Sequence, residues 1–208
     1  MASQARRGRS GLRIAGGAWR GRALTSAPGA RPTEQRVREA LYSIWADAVP
    51  GARVLDLYCG AAAVALEALS RGAHEAVAVD TDPRALRAVA ANRDALGADT
   101  LIALRLSLPD QLQQLAGAHE PFDLVFADPP YELRDYEALL IAAAPLVRPD
   151  GELTLEHAAA TPTPEAAGPL IRIDRRTYGG SSISRYRHPS QTPAGGGRRP
   201  QGRANASW

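Results

Sequence analysis

The residues best suited to chemistry in this sequence are Asp128-Pro129-Pro130-Tyr131, set directly after the apolar run Phe122-Asp123-Leu124-Val125-Phe126-Ala127. An exocyclic amino group on a nucleobase has its lone pair delocalised into the ring, so its hydrogens need acceptors before the nitrogen can attack a methyl donor. The Asp128 carboxylate and the Pro129 carbonyl offer two acceptors, and neither proline nitrogen carries a competing donor. Tyr131 adds a face on which a base can stack, worth roughly 1–3 kcal/mol. The plainer alternative is an Asp-Pro turn after a buried strand, with Tyr131 as packing.

Two more acids sit at comparable places. Asp56 lies in Arg53-Val54-Leu55-Asp56-Leu57, followed by Tyr58-Cys59-Gly60, an alanine-rich stretch to Leu69 and Gly72 at its stop. As strand, tight turn and helix, this presents backbone N–H groups to a nucleotide or a carboxylate. Only Gly60 is a glycine where a dinucleotide fingerprint has three, which argues against a nicotinamide enzyme. Asp80 ends the next apolar run, Ala76-Val77-Ala78-Val79, 24 residues after Asp56. A carboxylate there can accept both hydroxyls of a ribose, and a solvated strand-end acid is the alternative.

Positioning these acids requires a parallel sheet. The run before Asp128 has the length and continuous hydrophobicity of a strand buried on both faces, and the prolines stop it. Asp82 and Pro83 start a helix as N-cap and first residue. Further strands are expected over Leu101 to Leu106, Gly151 to His157, Leu170 to Arg175 and Ser182 to Arg187, the last two around Tyr178-Gly179-Gly180. Helices are expected near Gln111 to Leu115 and over Tyr136 to Ala144. Toward the N-terminus, Leu12 to Leu24 reads as a hairpin turning at Gly16-Gly17. Arg13, Arg20 and Arg22 would form its phosphate-binding edge, with Trp19 stacking or packing. Arg31-Pro32-Thr33 opens a helix capped by Thr33, with Val37, Ala40, Leu41, Ile44 and Trp45 on one face. Arg36 and Arg38 fall on its polar side, facing either the site or solvent.

Composition narrows the class. With 208 residues and 45% hydrophobic content the chain supports one α/β domain. No segment reads as a membrane span or signal peptide, so a cytoplasmic location is expected, without membrane contact. One cysteine, Cys59, excludes an internal disulfide framework, and the four histidines show no metal-ligand spacing. Residues 1–38 hold nine arginines against Glu34, residues 39–170 eight against twenty acids, and residues 171–208 eight against Asp174. An acidic body with basic ends suits a polyanion held at its flanks.

The motifs in order are RIAGGAWRGRAL, RPTEQRVREALYSIW, VLDLYCGAAAVALEALSRGA, FDLVFADPPY and YGGSSISRYR, spanning about residues 12–187. They resemble the class I S-adenosylmethionine-dependent methyltransferases, and closely the bacterial RsmD family, which methylates guanine N2 in 16S ribosomal RNA. The resemblance implies a Rossmann-like α/β sheet of seven strands, order 3-2-1-4-5-7-6 with the last antiparallel, and helices on both faces. It implies a single domain over 11–188, with an RNA-binding extension at 11–50 and a catalytic core at 51–188, between a disordered 1–10 and a flexible tail at 189–208. S-adenosylmethionine would be the cofactor, with no metal. Asp56, Tyr58, Gly60, Asp80, Ser107 and Asp128 would line its site, and Asp128, Pro129, Pro130 and Tyr131 would receive the base. Arg13, Trp19, Arg20, Arg22, Arg31, Arg36 and Arg38 would contact RNA. The partner would be ribosomal RNA or an assembling small subunit, and the protein a monomer. Relatives carry glycines where this chain has Ala62 and Ala65, and an acid near Ser107. A Cβ at Ala62 would either crowd the cofactor or demand a left-handed backbone. An adenine-N6 methyltransferase and a non-catalytic RNA-binding scaffold are the alternatives.

Overall fold

The computed structural model describes residues 11–26 and 35–189. The expected disordered start, most of the expected tail, Arg31 and the cap Thr33 lie outside the described residues. In chain order the elements are α1 (Gln35–Ile44), β1 (Arg53–Leu57), α2 (Ala63–Ser70), β2 (Glu75–Asp80), α3 (Pro83–Leu96), β3 (Leu101–Arg105) and α4 (Leu112–Ala118). They continue as β4 (Phe122–Ala127), α5 (Tyr136–Ala143), β5 (Val147–Ala158), β6 (Ala166–Ala167), β7 (Leu170–Tyr178) and β8 (Ser181–Arg187). Among the described residues no helix is long and apolar enough to cross a membrane.

One sheet runs β3-β2-β1-β4-β5-β8-β7-β6. The first five strands pair in parallel, and β8 enters antiparallel between β5 and β7. Seven strands were expected. The eighth is β6, two alanines pairing with Leu170 and Ile171 at the outer edge, too short to leave a periodic signal in sequence. Without it the order and the antiparallel strand are those anticipated.

Alternating strand residues feed two cores, which is why the central strands read as unbroken apolar runs. In β4, Leu124 and Phe126 join Val54, Val64, Leu66, Tyr42 and Trp45 on one face. Val125 and Ala127 join Leu55, Leu57, Leu112, Leu139 and Leu140 on the other. Just past α1, the Trp45 ring packs edge-on to both Tyr42 and Phe126. Arg38 is buried on that same side, so α1 does not present it as a polar-face residue.

The N-terminal strands meet through a single bridge, Arg13 with Ala23. The chain reverses over residues 15–21, wider than the expected Gly16-Gly17 turn, with Ile14 N–H on Arg22 O and Gly21 N–H on Ile14 O. The reason is docking. Gly17, at φ 78°, lies so close to the end of α2 that a Cβ would sit 1.9 Å from the Ser70 carbonyl oxygen.

Candidate active site

The carboxyl ends of β1, β2 and β4 bring the three expected acids to one edge of the sheet. Asp56 is 2% exposed, and its Oδ2 accepts the N–H of Ala65 at 3.0 Å. That satisfies one of the orphan donors of the first turn of α2. Burial pushes the Asp56 carboxyl well above the usual range, and the charges of Asp128 and Asp80 push it the same way. Asp80 fastens the turn after β1 with one oxygen and its own turn into α3 with the other. Oδ2 accepts Gly60 N–H at 2.9 Å and Oδ1 accepts Asp82 N–H at 2.9 Å.

The turn between β1 and α2 is left-handed at three residues, Tyr58 (φ 59°), Gly60 (φ 53°) and Ala62 (φ 56°). Glycine takes this conformation freely, whereas a Cβ costs roughly 1–2 kcal/mol. Of the two outcomes anticipated for Ala62, the backbone cost is the one realised. Its side chain is fully buried in the core under α2, so it faces away from the open side of the turn. Above Gly60 a Cβ would meet nothing within 4 Å. Tyr58 packs on the second core, where burial and then the charge of Asp110 raise its hydroxyl to about 12. That hydroxyl is buried without a hydrogen-bond partner among the described residues. Ser107 is exposed just beyond β3. Its N–H donates to Gln111 Oε1 at 2.6 Å and its carbonyl accepts Gln111 N–H at 2.9 Å.

Asp128 is half-buried, and its N–H reaches Leu57 O at 3.4 Å, tying the strand end of β4 to that of β1. Pro129 is buried, Pro130 is exposed with its carbonyl held by Leu133 N–H, and Tyr131 is 44% exposed. A rigid loop therefore presents an aromatic face beside an acid. The pairing of Ala127 with Leu155 sets Glu156, 4% exposed, next to Asp128. Sequence reasoning missed Glu156, although its position as an acid near the end of an apolar strand repeats the signal that found Asp80.

The proposed RNA contacts do not gather in one place. Arg36 is exposed on the first turn of α1, whereas Arg38 is 1% exposed. Arg38 is a correction. Its Nε donates to Glu67 Oε2 at 2.9 Å and its Nη2 to Arg13 O at 2.7 Å, which consumes the charge inside the protein. Glu67, fully buried, also accepts Ala15 N–H and pairs with Arg71. Trp19 packs against the core, and its backbone N–H donates to Ser70 Oγ at 2.9 Å. Arg20 is exposed on the same turn, and Arg22 donates to Ala95 O at 2.7 Å. Ser70 and Ala95 lie at the carboxyl ends of α2 and α3, so this turn sits at the far end of the sheet from Asp128. Arg13 is exposed between the two levels, with its Nη1 on Gly21 O. Asn92, 2% exposed on α3, was also missed. It holds Thr25 by both N–H and C=O, at 2.7 and 2.9 Å, and donates to Ala61 O at 3.1 Å. The chain leading into residues 27–34 is thereby fixed to the acid-bearing turn.

Residues 12–187 match the model of the family described as conserved hypothetical protein 95. A Bacillus subtilis protein named "Putative rRNA methyltransferase YlbH" is 30% identical over 181 residues, covering 85% of this chain and 98% of that one. Ribosomal RNA small subunit methyltransferase D of Escherichia coli K12 is 38% identical over 122 residues, 58% of this chain and 60% of that protein. Among solved structures, "Putative methyltransferase yhhF" from Escherichia coli superposes with a TM-score of 0.75 at 27% identity, over 86% of this chain and 99% of that one. The strand order, the acids at the strand ends and a match spanning nearly every described residue have one reading: this chain belongs to the conserved hypothetical protein 95 family and has its methyltransferase fold.

Proposed function

We propose that the chain transfers a methyl group from S-adenosylmethionine to the exocyclic N2 of a guanine in small-subunit ribosomal RNA. The observation that carries this reading is the set of carboxylates at the ends of β1, β2 and β4, arranged around a left-handed turn that is open above Gly60. Three acids in mutual repulsion favour a cationic ligand, and an adenosyl sulfonium with an α-ammonium group has that charge.

The residues fit such a cofactor. Asp56 and the start of α2 would hold the amino-acid end, Asp80 would take the ribose hydroxyls, and Ser107 would accept from the adenine amino group. Bound there, the cofactor supplies an electrophilic methyl group, so the chemistry needs no covalent enzyme intermediate. The protein's own work is alignment and charge. Asp128 and the Pro129 carbonyl accept hydrogen bonds from the amino group, fixing the direction of its lone pair. Asp128 then stabilises the positive charge that grows on nitrogen as the N–C bond forms and the C–S bond breaks. The extra proton on nitrogen leaves to Asp128 or to water. Tyr131 stacks on the base, offsetting part of the few kcal/mol that unstacking costs.

The test is to incubate the protein with labelled methyl donor and small-subunit RNA at several assembly stages, then identify the methylated nucleoside by mass spectrometry. N2-methylguanosine is the expected product. N6-methyladenosine would replace the base assignment, and absence of both label and cofactor affinity would leave an RNA-binding scaffold.

A further inference from the structure

The hairpin arginines lie at the wrong end of the sheet to hold a nucleotide against Asp128. Their turn is set beside Ser70 and Ala95, and the eight residues of α2 separate it from the acid-bearing turn by about 12 Å of helix alone. The cofactor side of Asp128 is also spoken for by the turn after β1 and by Asp80. A polynucleotide must therefore approach Asp128 from another side, and β5, β8 and β7 form one flank.

Among the exposed guanidinium groups on or beside that flank are Arg134 and Arg175. Neither takes part in an ion pair among the described residues. Arg134 belongs to the loop that continues from Tyr131 into α5. Arg175 is brought to the same edge by register: it pairs with Ser184, three residues from the β7–β8 turn, and β8 enters that turn with Ser181 opposite Ala158 at the end of β5. Its Nη2 donates to Ala159 O at 2.8 Å, just past that strand end. Buried side chains connect the two. The Tyr136 ring lies 6.0 Å from that of His157. Tyr136 lies within the fields of Arg134 and Asp128, and His157 within those of Arg175 and Arg172. Glu132 and Asp135 are the nearby counter-charges in sequence, and Asp135 is committed to capping α5 through Ala138 N–H.

We propose that Arg134 and Arg175 form the phosphate-binding rim of the substrate site, gripping the RNA backbone beside the nucleotide presented to Asp128. A planar guanidinium matches phosphate oxygens in two-point contact, and one left without an acidic partner gives up no ion pair to make it. Arg176, half-exposed and paired with Asp174, lies next to this rim and would be a weaker contributor. The proposal rests on the reading of the protein as an RNA methyltransferase.

The two readings are separated by measuring RNA and cofactor binding independently. The double variant Arg134→Ala/Arg175→Ala is titrated with a small-subunit RNA fragment over a series of salt concentrations, and S-adenosylhomocysteine affinity is measured by calorimetry. The expected result is RNA affinity reduced tenfold or more and a log–log salt slope shallower by about 1.4, two single-strand phosphate contacts at about 0.7 each. Cofactor-analogue affinity stays at the wild-type value, and Arg20→Ala/Arg22→Ala has the smaller effect on RNA. An unchanged RNA affinity and salt slope in the Arg134/Arg175 variant would overturn the rim while leaving the methyltransferase reading intact. A wild-type protein with no RNA affinity at all would overturn both. Arg175→Glu, which adds repulsion at an exposed position, should weaken RNA binding further than Arg175→Ala; equal affinities would also count against the rim.

Discussion

Two buried acids at opposite ends of the sheet are equally hidden and treated in opposite ways. Glu152 and Asp56 are each 2% exposed. Glu152, near the amino-terminal end, accepts from Trp45 Nε1 and from both Arg185 and Arg187. Burial alone would raise its carboxyl, but the hydrogen bonds and charge of Arg185 overcome that and hold it below the usual range. Asp56 has one backbone donor, and its charged neighbours are acids, so burial and repulsion together raise it. An acid that holds the fold together is given cations by the fold itself. An acid left in repulsive company is suited to receive a cation from outside.

The largest test of this contrast lies at Asp128, the acid nearest the chemistry. Asp128→Ala should lower methyl transfer by at least 10²–10³-fold, as removal of a charge-stabilising group does, with S-adenosylhomocysteine affinity preserved in calorimetry. Full activity would remove Asp128 from the reaction. Next comes Glu152→Ala, which leaves Arg187 and the Trp45 N–H without this acceptor and Arg185 with Asp174 alone. It should destabilise by about 3 kcal/mol in denaturant melts, with little change in cofactor affinity.

Asp56→Asn should do the reverse, weakening the cofactor about tenfold or more while stabilising the ligand-free protein. The sign follows from linkage. The unfolded carboxyl ionises near 3.8, whereas the folded one keeps its proton to higher pH. Stability is fully present below 3.8 and falls as pH rises toward the folded value. Asparagine keeps an acceptor for Ala65 N–H and removes that fall, so the two proteins should melt alike at pH 3 and diverge toward neutrality. Parallel melting curves across that range would break the comparison.

The smallest effects are local. Ala62→Gly should raise stability by at most about 1 kcal/mol, since relief of the left-handed backbone is offset by extra freedom in the unfolded chain. Burial holds the His157 imidazole below 6.5. The unfolded state therefore takes up a proton that the folded state resists, and stability should fall as pH drops below 6.5. His157→Gln should flatten that limb of the profile.

The central strands and the acids were legible because each is a local pattern: an apolar run, then a carboxylate, then a helix start; the strand order came from the family resemblance. Asp80 with Asp82-Pro83 and the DPPY loop are of this kind, and the described structure puts them where the pattern says. Arg38 was misread because its fate depends on Glu67, 29 residues away, and a helix pattern shows polarity without showing partners. Where the hairpin arginines stand relative to Asp128 was not legible for a similar reason. Their distance from Asp128 is set by how residues 15–21 dock on Ser70, a contact between segments that no spacing encodes. Asn92 shares that cause, since its partners Thr25 and Ala61 lie far from it in sequence, whereas β6 was too short to show a period.

The wall built from the N-terminal segment has a thermodynamic consequence. Leu12, Ile14, Leu24, Val37, Leu41, Tyr42 and Trp45 occupy the same interior as Val54, Val64 and Phe126. The hairpin and the sheet are thus halves of one cooperative unit, and heat should melt them in a single transition. A nucleoside that tightens the turn after β1 should, through Asn92, slow amide exchange at Thr25 as well, so that filling one pocket stiffens the approach to the other.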